Sequence, residues 1–193
     1  MKIPQNMNYS SPQIIKDLSV SMFRASLASV IFAIPLAIVS AVPYLFIWGM
    51  NPLTLAVGEI SKNYFAAIIL LLAGILFHEL IHGVSWMLFG KKPAKSIRYG
   101  FNWKSLAAYA HCNEPMSVST YRLSIIMPGL LLGVLPVVAA LITGNPYLML
   151  FGLLFTVAAS GDMFILWLLR RETPDSLVMD HPTNAGCMLV EDS

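Results

Sequence analysis

His78, Glu79 and His82 stand together in the stretch FHELIHG, residues 77–83. On an α-helix, residues four apart share a face, so two imidazoles at this spacing can meet one metal ion. Glu79 lies next to the first of them, where its carboxylate can reach a water on that ion and take its proton as the water attacks a carbonyl carbon. Two histidine ligands and a glutamate base at this spacing are the arrangement of zinc peptidases. The flanking letters, YFAAIILLLAGIL and VSWMLFG, are those of a membrane-spanning helix. A charged group at the centre of such a helix costs about 2.5–3.5 kcal/mol on insertion scales. Packing alone is therefore a poor reason for three ionisable groups there.

Catalytic zinc usually takes three protein ligands plus water. The extension HExxHxxGxxH does not continue here, because Ser85 and Leu88 hold the glycine and third-histidine positions. Asp162, in AASGDMF, is the only acidic residue of the last apolar run. His82 lies eight residues before Gly90, and Asp162 eight before Arg170. At 1.5 Å per helical residue, both fall about 12 Å inside the same membrane face. Ala158, Ala159, Ser160 and Gly161 on one run, with Gly83 and Ser85 on the other, are expected to let the two helices approach closely. A lone aspartate could instead pair with a basic group or carry a proton. His111 and Glu114 in AYAHCNEP, and Asp180 and His181 in MDHPTNAGC, are accessory candidates as ligand, substrate clamp or lid. Both segments also have the makeup of ordinary loops and turns.

The elements that must position these groups follow from composition. The 193 residues are 57% hydrophobic and 11% charged, well below the roughly 25% charge of soluble domains. Four apolar runs, about 27–48, 64–89, 123–143 and 147–169, each exceed the roughly 20 residues a helix needs to cross a bilayer. The start of the first is too late and its length too great for a cleaved signal. The fold class expected is an all-α polytopic membrane protein with a short cytosolic hairpin, as one domain over 1–193. Lys2, Lys16 and Arg24 precede the first run. Lys91, Lys92, Lys95, Arg98, Lys104 and Arg122 lie between the second and third, and Arg170 and Arg171 follow the fourth. By the positive-inside rule both termini are cytosolic, as are the loop 91–122 and the tail 172–193. In the loop, SIRYGF and SLAAYAHC around NWK suggest two short strands. In the third run, Pro128, Gly129 and Gly133 allow either a partly unwound cavity wall or plain helix packing. Cys112 and Cys187 suit two inert cytosolic thiols. No basic tract with interleaved aromatics supports nucleic-acid binding.

HELIHG in a second span, HCNEP in the loop, SGD in the last span and DHPTNAG in the tail together resemble a family of bacterial membrane proteins described as putative zincin peptidases, a domain of unknown function. More broadly, the pattern is similar to intramembrane metalloproteases of the site-2-protease type. The resemblance covers about 64–186. It implies His78 and His82 as zinc ligands, Glu79 as catalytic base, Asp162 as third ligand, one zinc ion per chain, and a site in the bacterial inner membrane. The sequence departs from the site-2-protease pattern at the aspartate, which follows Ser160 and Gly161 and precedes Met163 in place of the Leu-Asp-Gly signature.

The function expected is a zinc-dependent endopeptidase. It would hydrolyse peptide bonds of membrane proteins or peptides in or near the bilayer, with the site open to the cytosol. A non-catalytic metal-binding membrane protein, either a pseudo-protease or a sensor, is the first alternative. An ion or proton transporter is the second, though its polar groups should spread through the whole membrane depth rather than cluster near one face.

Overall fold

The computed structural model describes residues 13–103 and 107–191. Lys2, Lys104, most of the N-terminal segment 1–20 and the last two residues of the tail lie outside the described residues.

Long apolar runs become helices because a helix satisfies its own backbone groups wherever it lies. The first and second runs form α1 (Met22–Trp48) and α3 (Tyr64–Phe89). The third is α4 (Val118–Pro128), a π-helical turn (Gly129–Val134) and α5 (Leu135–Thr143) in line. The fourth is α6 (Pro146–Ala158) and α7 (Ser160–Leu169), interrupted at Ala159. All four stretches are long and apolar enough to cross a membrane. The first and third begin five residues before the expected Leu27 and Leu123, at serines that cap them. Ser21 Oγ accepts the Arg24 N–H and Ser117 Oγ accepts the Thr120 N–H. The π turn has a cause in Pro136, which lacks an N–H for the carbonyl one turn back, so the ladder widens and the Leu135 N–H reaches Leu130 O.

A further helix, α2 (Asn51–Lys62), fills the connection for which no element was expected. It starts on a proline in its first turn and carries a Lys62–Glu59 pair at 2.7 Å.

α3 lies against α4, the third run lies against α6, and α1 lies against α6 and α7. The third and fourth runs meet through small residues. A Cβ on Gly152 would sit 2.7 Å from Val137 N and 2.8 Å from Gly133 O, so only glycine lets these backbones come so close. A Cβ on Gly129 would lie 2.9 Å from Ala159 Cβ. The small residues of the fourth run therefore do not serve an approach to the second, as expected from the sequence. Ala159 faces the third run, and a side chain at Gly161 would meet nothing within 4 Å. The room at Gly83 is taken by Tyr99, whose hydroxyl occupies the place a Cβ would need.

The mostly helical expectation holds, and to the one expected hairpin the described residues add four further short strands. β2 (Ile97–Asn102) and β3 (Ala107–Cys112) form the expected antiparallel hairpin, with Ile97 opposite Cys112 and Asn102 opposite Ala107. The unexpected sheet joins both chain ends in the order β1 (Ile14–Asp17), β6 (Cys187–Val190), β5 (Leu177–Asp180), β4 (Met116–Ser117). The segments expected to be merely peripheral thus build a second layer. Beneath it, Cys112, Val118, Tyr121, Val178 and Cys187 pack with Trp86 and Leu169 in one buried cluster. Arg122 donates to the carbonyls of Leu169 and Glu172, satisfying the end of α7 and fixing it to α4. Burial pushes the Cys112 thiol up and the Cys187 thiol up to about 12, so both stay protonated and poorly nucleophilic.

Gly152→Val should lower stability by about 1–3 kcal/mol through overpacking against backbone that cannot yield. Gly58→Val, where a Cβ meets nothing within 4 Å, should leave stability unchanged or slightly raised, because valine favours helix more than glycine does. Unfolding of the two variants in mixed micelles checks the contrast.

Candidate metal centre

His78 and His82 occupy one face of α3, one turn apart, with ring centroids 5.0 Å apart. Asp162 comes from the first turn of α7, where the positive end of the helix dipole favours a carboxylate. That turn exists because the fourth run breaks at Ala159. His78 Nε2 lies 3.2 Å from Asp162 Oδ2, and His82 Nε2 lies 3.5 Å from Oδ1. The three candidate ligand atoms lie within 4.8 Å of one another.

The donor set suits a divalent cation on three counts. Ligand atoms about 2.1 Å from a tetrahedral zinc stand roughly 3.4 Å apart, close to the two nitrogen–oxygen separations seen here. His82 Nδ1 lies 3.2 Å from the Ser124 carbonyl oxygen; a proton on Nδ1 donated to that oxygen leaves the Nε2 lone pair facing Asp162. Asp162 Oδ2 is buried and makes no hydrogen bond of good geometry, although His78 is near. An orphaned carboxylate oxygen in an apolar setting is costly unless something else engages it. The His82 ring, 7% exposed, is held on its other side by the Trp86 indole at 5.9 Å between centroids.

All three residues line a cavity of about 1020 Å³. Glu79 lines it too, with the backbone N–H of Ala110 on β3 facing its carboxylate. The cavity reaches from the N-terminal half of α1 (Ser26, Ser29), past the hairpin (Arg98, Phe101, Tyr109), to the turn at 181–186.

The accessory candidates separate. His111 and Asp180 line the cavity and approach each other, with Nδ1 3.8 Å from Oδ2. His181 also lines it, but its Nδ1 accepts from the N–H groups of Thr183 and Asn184, so it shapes the turn between β5 and β6. Gly186, at φ +113°, completes that turn in a conformation other residues rarely adopt. Glu114 is not among the lining residues and lies 3.9 Å from Lys92 Nζ. Reading the sequence missed Tyr121, Ser124 and Trp86. Tyr121 and Ser124 stand three apart near the start of an apolar helix, and that polar pair on one face was the available signal.

A family model described as "Putative zincin peptidase" matches residues 71–177, just over half of the chain and inclusive of His78, Glu79, His82 and Asp162. No curated protein and no solved structure matches the chain.

His78→Ala and Asp162→Ala should each weaken zinc binding by at least about 10- to 100-fold, the loss typical of even an outer-sphere partner. Metal analysis of purified protein after dialysis against a graded zinc buffer measures it. His181→Ala should leave zinc content unchanged.

Proposed function

Because the chain belongs to the family described as putative zincin peptidase, we propose that it is a zinc-dependent endopeptidase of the site-2-protease type, embedded in the bacterial inner membrane. The observation that carries this reading is the meeting of His78, His82 and Asp162, from two separate apolar helices, in a cavity that also holds Glu79.

His78, His82 and Asp162 are the ligands proposed for one zinc ion, which when bound supplies Lewis acidity to water and to the scissile carbonyl. Glu79 is the general base. Its carboxylate takes a proton from the water whose oxygen bonds to the carbonyl carbon, and returns that proton to the leaving nitrogen as the C–N bond breaks. The Ala110 N–H places the hairpin beside Glu79. Among the described residues the outer edge of β3 pairs with no strand. The Cys112 N–H turns to this side and is taken by Asp180, so Ala108, at even spacing, presents its N–H to the same side, while that of Ala110 faces Glu79. An extended substrate segment can add along this edge beside Glu79. Such a clamp matters for a peptide drawn from a membrane helix, whose amides are hidden until it unwinds.

The pairing of β1 with β6 supports an even number of crossings, with both ends on one face. The lysines and arginines that flank the helices support the cytosol as that face.

The test uses full-length protein loaded with zinc in liposomes with a bacterial inner-membrane protein extract, and mass spectrometry of new N-termini. Glu79→Gln should keep its zinc and lose at least about 100-fold in cleavage rate. Equal cleavage with both proteins, or none with either, would favour a non-catalytic metal-binding protein. Ion flux across liposomes that required Asp162 would favour a transporter.

A further inference from the structure

The cavity contains a second polar cluster that the zinc site does not use. Asp180, at the end of β5, is buried. Its Oδ1 accepts from the Tyr121 hydroxyl of α4, and its Oδ2 accepts from the Cys112 N–H at 2.8 Å. A buried carboxylate is tolerated only when its lone pairs are engaged. Burial pushes the Asp180 pKa up, while these two hydrogen bonds and the nearby His111 act the other way. The third neighbour of the carboxylate is the His111 imidazole, 3.8 Å from Oδ2 through Nδ1.

Tying the tail to the hairpin needs only Tyr121 and the Cys112 amide. His111 goes further, because its side chain, 19% exposed, lines the cavity shared with Glu79 and the three candidate zinc ligands. It also follows directly on Ala110, whose N–H meets the Glu79 carboxylate. Nε2 of His111 makes no hydrogen bond among the described residues, whereas His181 spends its Nδ1 on two backbone amides.

We propose that His111 contacts the substrate, its Nε2 hydrogen-bonding the carbonyl oxygen of the peptide group under attack, and that Asp180, backed by Tyr121, is the positioning residue that orients the imidazole. This rests on the peptidase reading of the same cavity. With Nδ1 turned toward the carboxylate, Nε2 is the ring nitrogen left to hold an N–H for the substrate. That proton faces the oxygen on which negative charge grows as water adds. His111 only donates a hydrogen bond; no proton leaves it and no bond to it forms.

A phosphinic peptide, Ala-Ala-ψ[PO₂CH₂]-Ala-Ala, carries two oxygens on a tetrahedral centre and tests the contact without turnover. Calorimetry with zinc-loaded, full-length protein in micelles should show His111→Ala weakening the probe about 10- to 100-fold, the range for a hydrogen bond to a charged group. His111→Gln, whose amide can still donate, should recover part of the loss. Asp180→Asn and Tyr121→Phe should weaken the probe less than His111→Ala. Zinc content should match the wild type throughout. Equal probe affinity in wild type and His111→Ala, or zinc loss in His111→Ala, or no binding to the wild type, overturns the proposal. Failure of the peptidase reading shows separately, as cleavage that does not depend on Glu79 beside probe binding that still depends on His111.

Discussion

One carboxylate between two imidazoles, carried on long apolar helices, sets the terms for the surrounding structure. Asp162 brings a charge to a place where a lone charge is expensive. Three features make it tolerable. His78 and His82 stand against its two oxygens. The break at Ala159 starts a new helix there, so Asp162 sits in a first turn instead of mid-helix. Ser124 and Trp86 fix the His82 ring from behind. The interruption of the fourth run gives up regular helix bonding around Ala159 in exchange for an electrostatically favourable end.

The hairpin is tied to the same helix that carries the histidines. Gly83 directly follows His82, and the absence of a side chain there lets Tyr99 settle on α3. Ile97 approaches the same glycine. The strand edge that meets Glu79 is thus referenced to α3, one residue beyond the second imidazole. Positions of base, both histidines and edge are set by one short stretch of helix rather than by a flexible loop.

The four long apolar helices and the meeting of His78, His82 and Asp162 were legible because hydropathy and helical spacing are local properties. HELIH needs only one turn of helix to bring its histidines together, and Asp162 stood out as the lone acid of its run. The hairpin was legible from alternation in SIRYGF and SLAAYAHC. What escaped was non-local. β1, β4, β5 and β6 hold two to four residues each, too few for a periodic signal, and they pair across the whole length of the chain. The partner of Gly83 was misjudged for the same reason: a glycine announces room, but not what enters it. Asp180 and His111 were singled out as letters, yet their relation depends on a helix tyrosine, Tyr121, that reads as ordinary apolar packing.

The β1–β6 pairing has a consequence for biogenesis. β1 leaves the ribosome before any hydrophobic helix and β6 only after all of them, so the strand that precedes the first helix waits for the last to be inserted. Until then the cavity lacks the wall at 181–186 and the carboxylate of Asp180. A translating chain therefore carries His78, Glu79 and His82 well before the segment at 181–186 closes the cavity beside them.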